Sequence, residues 1–267
     1  MKKIICIIVT VLALCFCVAC RYESVSDPST TNPVSAGPLT QLEDLKYDVN
    51  NSYGNRIYLE ENGKYVPFLV LTADYNGNCL LLREYVLPET TFYNTPQEYA
   101  SYYGNSNADI YLNTKYYSLL SDDLKSLILD SEIEITTRDC IDTHEHTTEM
   151  IKRKVFLLSA NELCSSAGKY IMVEEGPQLE YFQDYERCIA YTESGEAESW
   201  MLRTAALSDG STVFGVSVDG VIGMGGINGP NGPYENNIRP AFCLPPDTPI
   251  TLSQDIIDGQ AVYIITY

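Results

Sequence analysis

The pattern of apolar and polar positions divides the chain into three stretches. After Lys2 and Lys3, residues 4–20 (IICIIVTVLALCFCVAC) contain no charged side chain. A run of this length is short for a membrane-spanning helix and suits the apolar core of an export signal. At Arg21 the character reverses. Residues 21–46 (RYESVSDPSTTNPVSAGPLTQLEDLK) are rich in Ser, Thr and Pro and show no apolar period, the composition of a flexible tether. From residue 51 onward, short apolar runs alternate with turn residues. Arg56–Leu59 and Tyr65–Leu71 read as strands around Asn62-Gly63, a hairpin turn. Pro67 lacks an N–H and places the second strand at an edge or a bulge. Asn76-Gly77 turns the chain into a third strand, Cys79–Leu87, completing a meander.

A helical period follows. Ala108–Tyr117 carries Ile110, Leu112 and Tyr116 as its apolar positions. Ser121 caps a second helix with Asp122 and Asp123 in its first turn, and Leu124, Leu127 and Ile128 share its apolar face. Ile133–Thr136 and Val155–Leu158 read as strands. Ser159 and Glu162 have capping-box spacing and predict a short helix from Ala160. Ser199–Arg203, Thr212–Val218 and Val221–Gly225 return to strand, with Asp219-Gly220 joining the last two. Ile238–Leu244 and Ala261–Thr266 close the chain. The expectation is a signal over 1–19, a lipidated N-terminus and linker over 20–50, and one α+β domain over 51–267, built from antiparallel strands with a few short helices.

Composition narrows the partners. The chain holds 17 Lys and Arg against 36 Asp and Glu, a net charge of −19. Loss of Lys2 and Lys3 with the signal takes it to −21. Nucleic acid needs clustered cations and is not an expected partner. Of nine cysteines, Cys79, Cys140, Cys164, Cys188 and Cys243 lie beyond the first 20 residues. Export permits disulfides, but five is odd, and no C-x-x-C spacing points to zinc. Most of the five are expected to be small buried side chains.

The run Cys17-Val18-Ala19-Cys20 resembles the bacterial lipobox, with Cys17 where Leu is usual. The resemblance implies cleavage before Cys20 and a diacylglycerol on its sulfur, a two-chain anchor of the kind stable attachment needs. Further on, FLVL, CLLLREYVL, ADIYLNTKYY, KVFLLSANE, SWMLRT and IRPAF follow one another in an order that resembles a bacterial extracellular domain family of unknown function, found in surface proteins of clostridia and their relatives. Its W-L-R-S and R-P-A signatures correspond to residues 200–204 and 239–241. Met201, Thr204, Phe68, Tyr111 and Asn237-Ile238 depart from it. The W-L-R and R-P-A tail is also similar, at fold level, to the C-type-lectin-like fold shared with formylglycine-generating enzymes. The family carries no assigned activity.

Candidate chemistry is sparse. His144 and His146 stand two apart among Asp139, Cys140, Asp142, Glu145 and Glu149, and on an extended segment could share a metal. The H-E-x-x-H spacing is absent, and a solvated loop is the better reading. Arg203 and Arg239 sit in apolar strands, SWMLRT, which includes Trp200, and IRPAF. They read as carboxylate or sugar contacts, as braces for the Gly-rich loop 225–237, or as partners of buried carboxylates and carbonyls. The 21 Tyr include Tyr93, Tyr102 and Tyr103 in a polar loop, where aromatic side chains offer a contact face. No cofactor is implied. The sequence therefore predicts a protein anchored by lipid to the outer face of the cell membrane, binding a glycan or protein ligand. An extracytoplasmic enzyme on a formylglycine-enzyme-like fold and a structural envelope lipoprotein are the alternatives.

Overall fold

The computed structural model describes residues 39–50, 54–88, 101–143, 145, 147–168, 171–207, 212–224, 237–257 and 260–267. These lie in the compact unit Gly37–Tyr267. The strands are β1 (Arg56–Glu61), β2 (Lys64–Tyr75), β3 (Asn78–Arg83), β4 (Ser131–Thr136), β5 (Thr148–Arg153), β6 (Ala190–Tyr191), β7 (Ala197–Glu198), β8 (Trp200–Ala205), β9 (Val213–Val216), β10 (Ile222–Met224), β11 (Ala241–Leu244), β12 (Ile250–Ile257) and β13 (Gln260–Ile265). The helices are α1 (Asn107–Tyr111), α2 (Tyr117–Leu119), α3 (Asp122–Leu127) and α4 (Arg138–Thr143). A six-stranded sheet runs β11-β3-β2-β1-β13-β12, antiparallel except where β1 meets β13. A second sheet runs β10-β9-β8, and β4 pairs with β5. The domain is thus α+β, with mostly antiparallel strands and a few short helices.

The meander forms as its turns require. Asn62, Gly63, Asn76 and Gly77 all take positive φ, which Asn and Gly tolerate best, and close two tight hairpins. Pro67 corrects the edge-strand expectation, because β2 is central. Pro67 lies just past the last β2–β3 pair, Phe68 with Arg83; its carbonyl still accepts from Glu84 N at 3.0 Å, and the ladder ends where its missing N–H would have returned the bond. The third strand is shorter than expected and ends at Arg83.

In α1 the buried positions are Ala108 and Asp109 rather than Ile110, which is exposed. A π turn over Leu112–Tyr116 follows and puts Leu112 and Tyr116 into the core. Asn113 leaves the helix to bond both the N–H and the C=O of Val155. Residues 155–158 are buried but form only one bridge, Phe156 to Ala241, rather than the expected strand. β12 alternates polar residues along a sheet edge, and its sequence shows no apolar run to announce it.

The linker boundary also moves. A 3-10 turn over Leu42–Leu45 buries both leucines in the main core, held by Leu42 N to Thr248 O and Tyr47 N to Val70 O, each 2.9 Å. Residues 42–46 therefore belong to the folded unit, and the tether expected over 21–46 does not extend through them. Leu39, Leu42 and Leu45 recur three apart over too short a run to stand out, yet Leu42 and Leu45 fill core sites and Leu39 packs against that core.

Candidate functional site

The Ser159–Glu162 signal leads to the most polar interior point of the domain. Ser159 and Glu162 do exchange capping bonds, Glu162 N to Ser159 Oγ at 3.0 Å and Ser159 N to Glu162 Oε2 at 2.8 Å. The turn stops after one revolution at Cys164, which has φ +58°, so the expected helix from Ala160 does not develop. The Glu162 carboxylate instead serves as a hub. Arg203, from β8, donates Nη1 to Oε2 at 2.7 Å and Nη2 to Oε1 at 2.8 Å. Tyr75 donates its hydroxyl to Oε1 at 2.5 Å. Gly176 passes so close that a Cβ there would lie 2.6 Å from Oε1, at φ +71°, so glycine is required on two grounds.

Arg203 further donates to the carbonyls of Leu157 and Glu134 at 2.9 and 3.0 Å. A second carboxylate, Glu175, lies 3.8 Å from Arg203 Nε and accepts from Thr136 N, Thr136 Oγ1 and Thr204 Oγ1. Burial raises the Glu175 pKa, against Arg203 and the threonine donors. Burial and the neighbouring Glu162 hold the Tyr75 phenol well above its ordinary value. Burial alone would lower Arg203, but Glu162 and Tyr75 outweigh it and raise its pKa.

Arg83 forms a parallel arrangement that the sequence did not single out. Its guanidinium meets Glu61 through Nε at 3.1 Å and Nη2 at 3.0 Å, and caps the carbonyls of Tyr85 and Val86. Glu61 also accepts from the buried Tyr116 hydroxyl at 2.9 Å. The signal available was Arg83 at the end of an all-apolar strand, the same logic that flagged Arg203. Arg239 differs from both. Its guanidinium carbon lies 4.7 Å from the Trp200 ring centroid, and its Nε donates to Arg83 O at 3.2 Å.

At the surface, an open cleft of about 470 Å³ lies between the Leu42–Leu45 turn, the far end of β2 and the segment 177–180. Glu43, Lys46 and Tyr47 form one wall, Thr72 and Asp74 the floor, and Gln178 and Glu180 the other wall. Tyr47 is held by an edge contact with Tyr181 at 5.2 Å and by Arg187 over its ring at 4.4 Å. Acceptors predominate, with Lys46 as a cation, an arrangement that suits a polar ligand bearing hydroxyl or amine donors.

The expected site residues fall in different places. Trp200 is fully buried, with Nε1 donating to Cys188 O at 2.9 Å, and Tyr103 is buried with its hydroxyl accepting from Leu157 N at 3.2 Å. Neither belongs to a contact face, because each ring fills the core and each polar tip bonds the backbone. Tyr102 is half-buried, donates to Glu149 at 2.8 Å and carries Arg138 over its ring at 4.6 Å. Arg203 does not brace the Gly-rich loop through the partners named above, which lie on residues 134, 157 and 162. Cys20, Tyr93, His144, His146 and residues 225–236 lie outside the described residues. The five internal cysteines are free, four of them buried. Burial pushes Cys79, Cys188 and Cys243 up to about 12.

The order of segments from β3 to β11, with Arg83, Glu162, Glu175, Arg203 and Arg239 inside it, coincides with a known domain. Residues 76–246 match the family described as domain of unknown function DUF6273. The chain belongs to this family. No curated protein and no solved structure matches the chain. The DUF6273 span contains all three buried arginines and the 177–180 wall of the cleft. The opposite wall and the floor, over 43–47 and 71–74, lie outside it, so the cleft combines a family segment with flanking chain.

Proposed function

We propose that this DUF6273 protein is a lipoprotein, anchored through Cys20 on the outer face of the cell membrane, whose single domain binds a polar extracellular ligand in the cleft between Tyr47, Asp74 and Glu180. The cleft is the observation that carries the reading: it is concave, open to solvent, and lined by acceptors around an aromatic wall. The domain's deeply buried acids are engaged elsewhere. Glu162 is committed to Arg203 and Glu61 to Arg83, away from the surface. The anchoring half of the proposal rests on the apolar run and Cys17-Val18-Ala19-Cys20. Among the described residues no helix is long and apolar enough to cross a membrane.

Two measurements test the halves separately. Cys20→Ser should move the protein from the membrane to the soluble fraction, or leave it unprocessed, and should abolish incorporation of labelled lipid. Retention without any lipid label in the wild type would refute the anchor. For the cleft, the wild type and an Asp74→Ala, Glu180→Ala double variant would be compared for retention of cell-wall fractions and glycan panels. Both side chains are exposed, so the fold should be kept. Equal retention by the two proteins would exclude the cleft as the ligand site.

A further inference from the structure

Arg83, Arg203 and Arg239 are buried to within 1–2% of full burial. Taking a guanidinium out of water costs several kcal/mol unless a counter-charge and hydrogen bonds replace the solvent. The fold supplies both for two of the three. Arg203 has the two oxygens of Glu162 and two carbonyls. Arg83 has Glu61, Glu193 and two carbonyls. Arg239 has one hydrogen bond, to the Arg83 carbonyl, and among the described residues no carboxylate oxygen lies within ion-pair distance of it. Its Nη1 is buried and has no acceptor. A cation–π contact with Trp200 is weaker than an ion pair and does not offset the lost solvation. Burial lowers its pKa to about 10, so the side chain still carries its charge at neutral pH.

The geometry also defines which edge is available. The guanidinium carbon lies over the indole ring, and Nε is turned to the backbone. The Nη1–Nη2 edge is left, and that edge takes a carboxylate through two parallel hydrogen bonds. A second cation stands nearby. Arg187 lies 5.3 Å from the Tyr181 ring centroid, and its Nη1 is likewise buried without an acceptor. Both guanidinium charges act on the Tyr181 hydroxyl. Glu84, the carboxylate that acts on Arg239, is itself paired with Arg56, so the Arg239 fork keeps a charge that one carboxylate can match.

We propose that the Nη edge of Arg239, whose guanidinium carbon lies over the Trp200 ring with Arg187 and Tyr181 nearby, is a recognition site for one carboxylate group of a ligand. This site adjoins the cleft of the proposed function through the Tyr47, Arg187 and Tyr181 stack, but its binding group is the Arg239 fork, which does not line the cleft, so it stands or falls without that reading.

Trp200 is the one tryptophan of the chain, so intrinsic emission reports on this guanidinium directly. The full-length protein would be titrated with N-acetylalanine, with its neutral amide and with inorganic phosphate, all at matched ionic strength. The expected result is a saturable change in Trp200 emission and a rise in melting temperature with the carboxylate. The amide should give no response, and phosphate a response at least tenfold weaker. Arg239→Lys, which keeps the charge and loses the fork, should weaken the carboxylate response at least tenfold. If that variant does not fold, the wild-type series decides alone. No saturable response to N-acetylalanine, or an equal response to its amide or to phosphate, overturns the site. The Asp74 and Glu180 variants report on the cleft independently, so the two proposals fail separately.

Discussion

Replacing Glu162 by Gln tests the central buried ion pair with almost no change of shape. Each carboxylate oxygen accepts from two donors. Oε1 takes Arg203 Nη2 and Tyr75 Oη, and Oε2 takes Arg203 Nη1 and Ser159 N. An amide can present only one oxygen, so in either orientation its NH₂ faces an Arg203 N–H that cannot accept, and only the Tyr75 hydroxyl could turn to accept from it. Arg203 also keeps its charge and loses its nearest counter-charge, leaving Glu175 at 3.8 Å as the next one. Removing one partner of a buried pair costs about 3–5 kcal/mol. In a domain of this size each kcal/mol moves the melting temperature by about 2–4 °C, so Glu162→Gln should melt roughly 6–20 °C below wild type.

The assay is paired thermal and urea unfolding of wild type, Glu162→Gln, Arg203→Met and the double variant. The two sites share hydrogen bonds, so their costs should not add. The double variant should be more stable than the sum of the single losses predicts, by more than about 1 kcal/mol. Arg203→Met alone strands Glu162 among Tyr75 and Ser159, and should cost about as much as Glu162→Gln. A Glu162→Gln protein melting within about 2 °C of wild type, or strict additivity in the cycle, would refute the hub reading.

Three further outcomes are expected. The folded-state pKa of Glu175 is raised, so its contribution to stability is fully present below its unfolded pKa and is lost as pH rises through the folded value. The stability of Glu175→Gln relative to wild type should therefore improve as pH rises from acid toward neutral, and melts across that range showing the reverse trend would contradict it. Of the five internal thiols only Cys164 is partly exposed, so a thiol reagent should label it first in the native state, slowed by its raised pKa, and all five after denaturation. Tyr103→Phe removes the acceptor of the buried Leu157 N–H and should cost about 1–3 kcal/mol in urea unfolding, with an unchanged value showing that the bond does not matter.

What the sequence made legible were features that local chemistry decides. The two Asn-Gly hairpins, the Ser121 cap and the β9–β10 pair are determined by residues within a few positions of one another, and each forms as read. The Ser159–Glu162 box was legible for the same reason, but its purpose was not. Whether Glu162 ends a helix turn or neutralises Arg203 depends on a residue 41 positions away. Arg203 and Arg239 looked alike, as guanidinium groups in apolar strands, and only their surroundings separate a matched charge from an unmatched one. The same limit hid the Leu42–Leu45 turn, where Leu39, Leu42 and Leu45 form too short a series within a Ser, Thr and Pro-rich stretch to announce it, and acquire meaning from Thr248 and Val70 across the fold. Arg83 was passed over because its partner Glu61 reads as a turn residue beside Asn62-Gly63.

The buried ion pairs explain how this domain holds together where regular structure is thin. Among the described residues, 154–168 and 171–189 contain as regular structure only two 3-10 turns and one isolated bridge, yet much of the stretch is buried. Backbone groups inside such a segment cannot be satisfied by a ladder and must find side chains. Arg203 answers for Leu157 and Glu134, Glu162 for Ser159, Tyr103 for Leu157 N, Thr204 for Ala160 N, and Glu175 for Thr136 N. All but the Glu162–Ser159 bond are long-range ties, and each has a defined geometry that apolar packing alone would not impose. Arg83 does the same for Tyr85 and Val86 where β3 ends. On this logic a buried arginine is here to fix irregular backbone, and one that fixes only a single carbonyl has donors left over. Arg239 is that case, so its remaining edge is the place in the DUF6273 span where a ligand's acceptor, rather than the protein's own, completes the set.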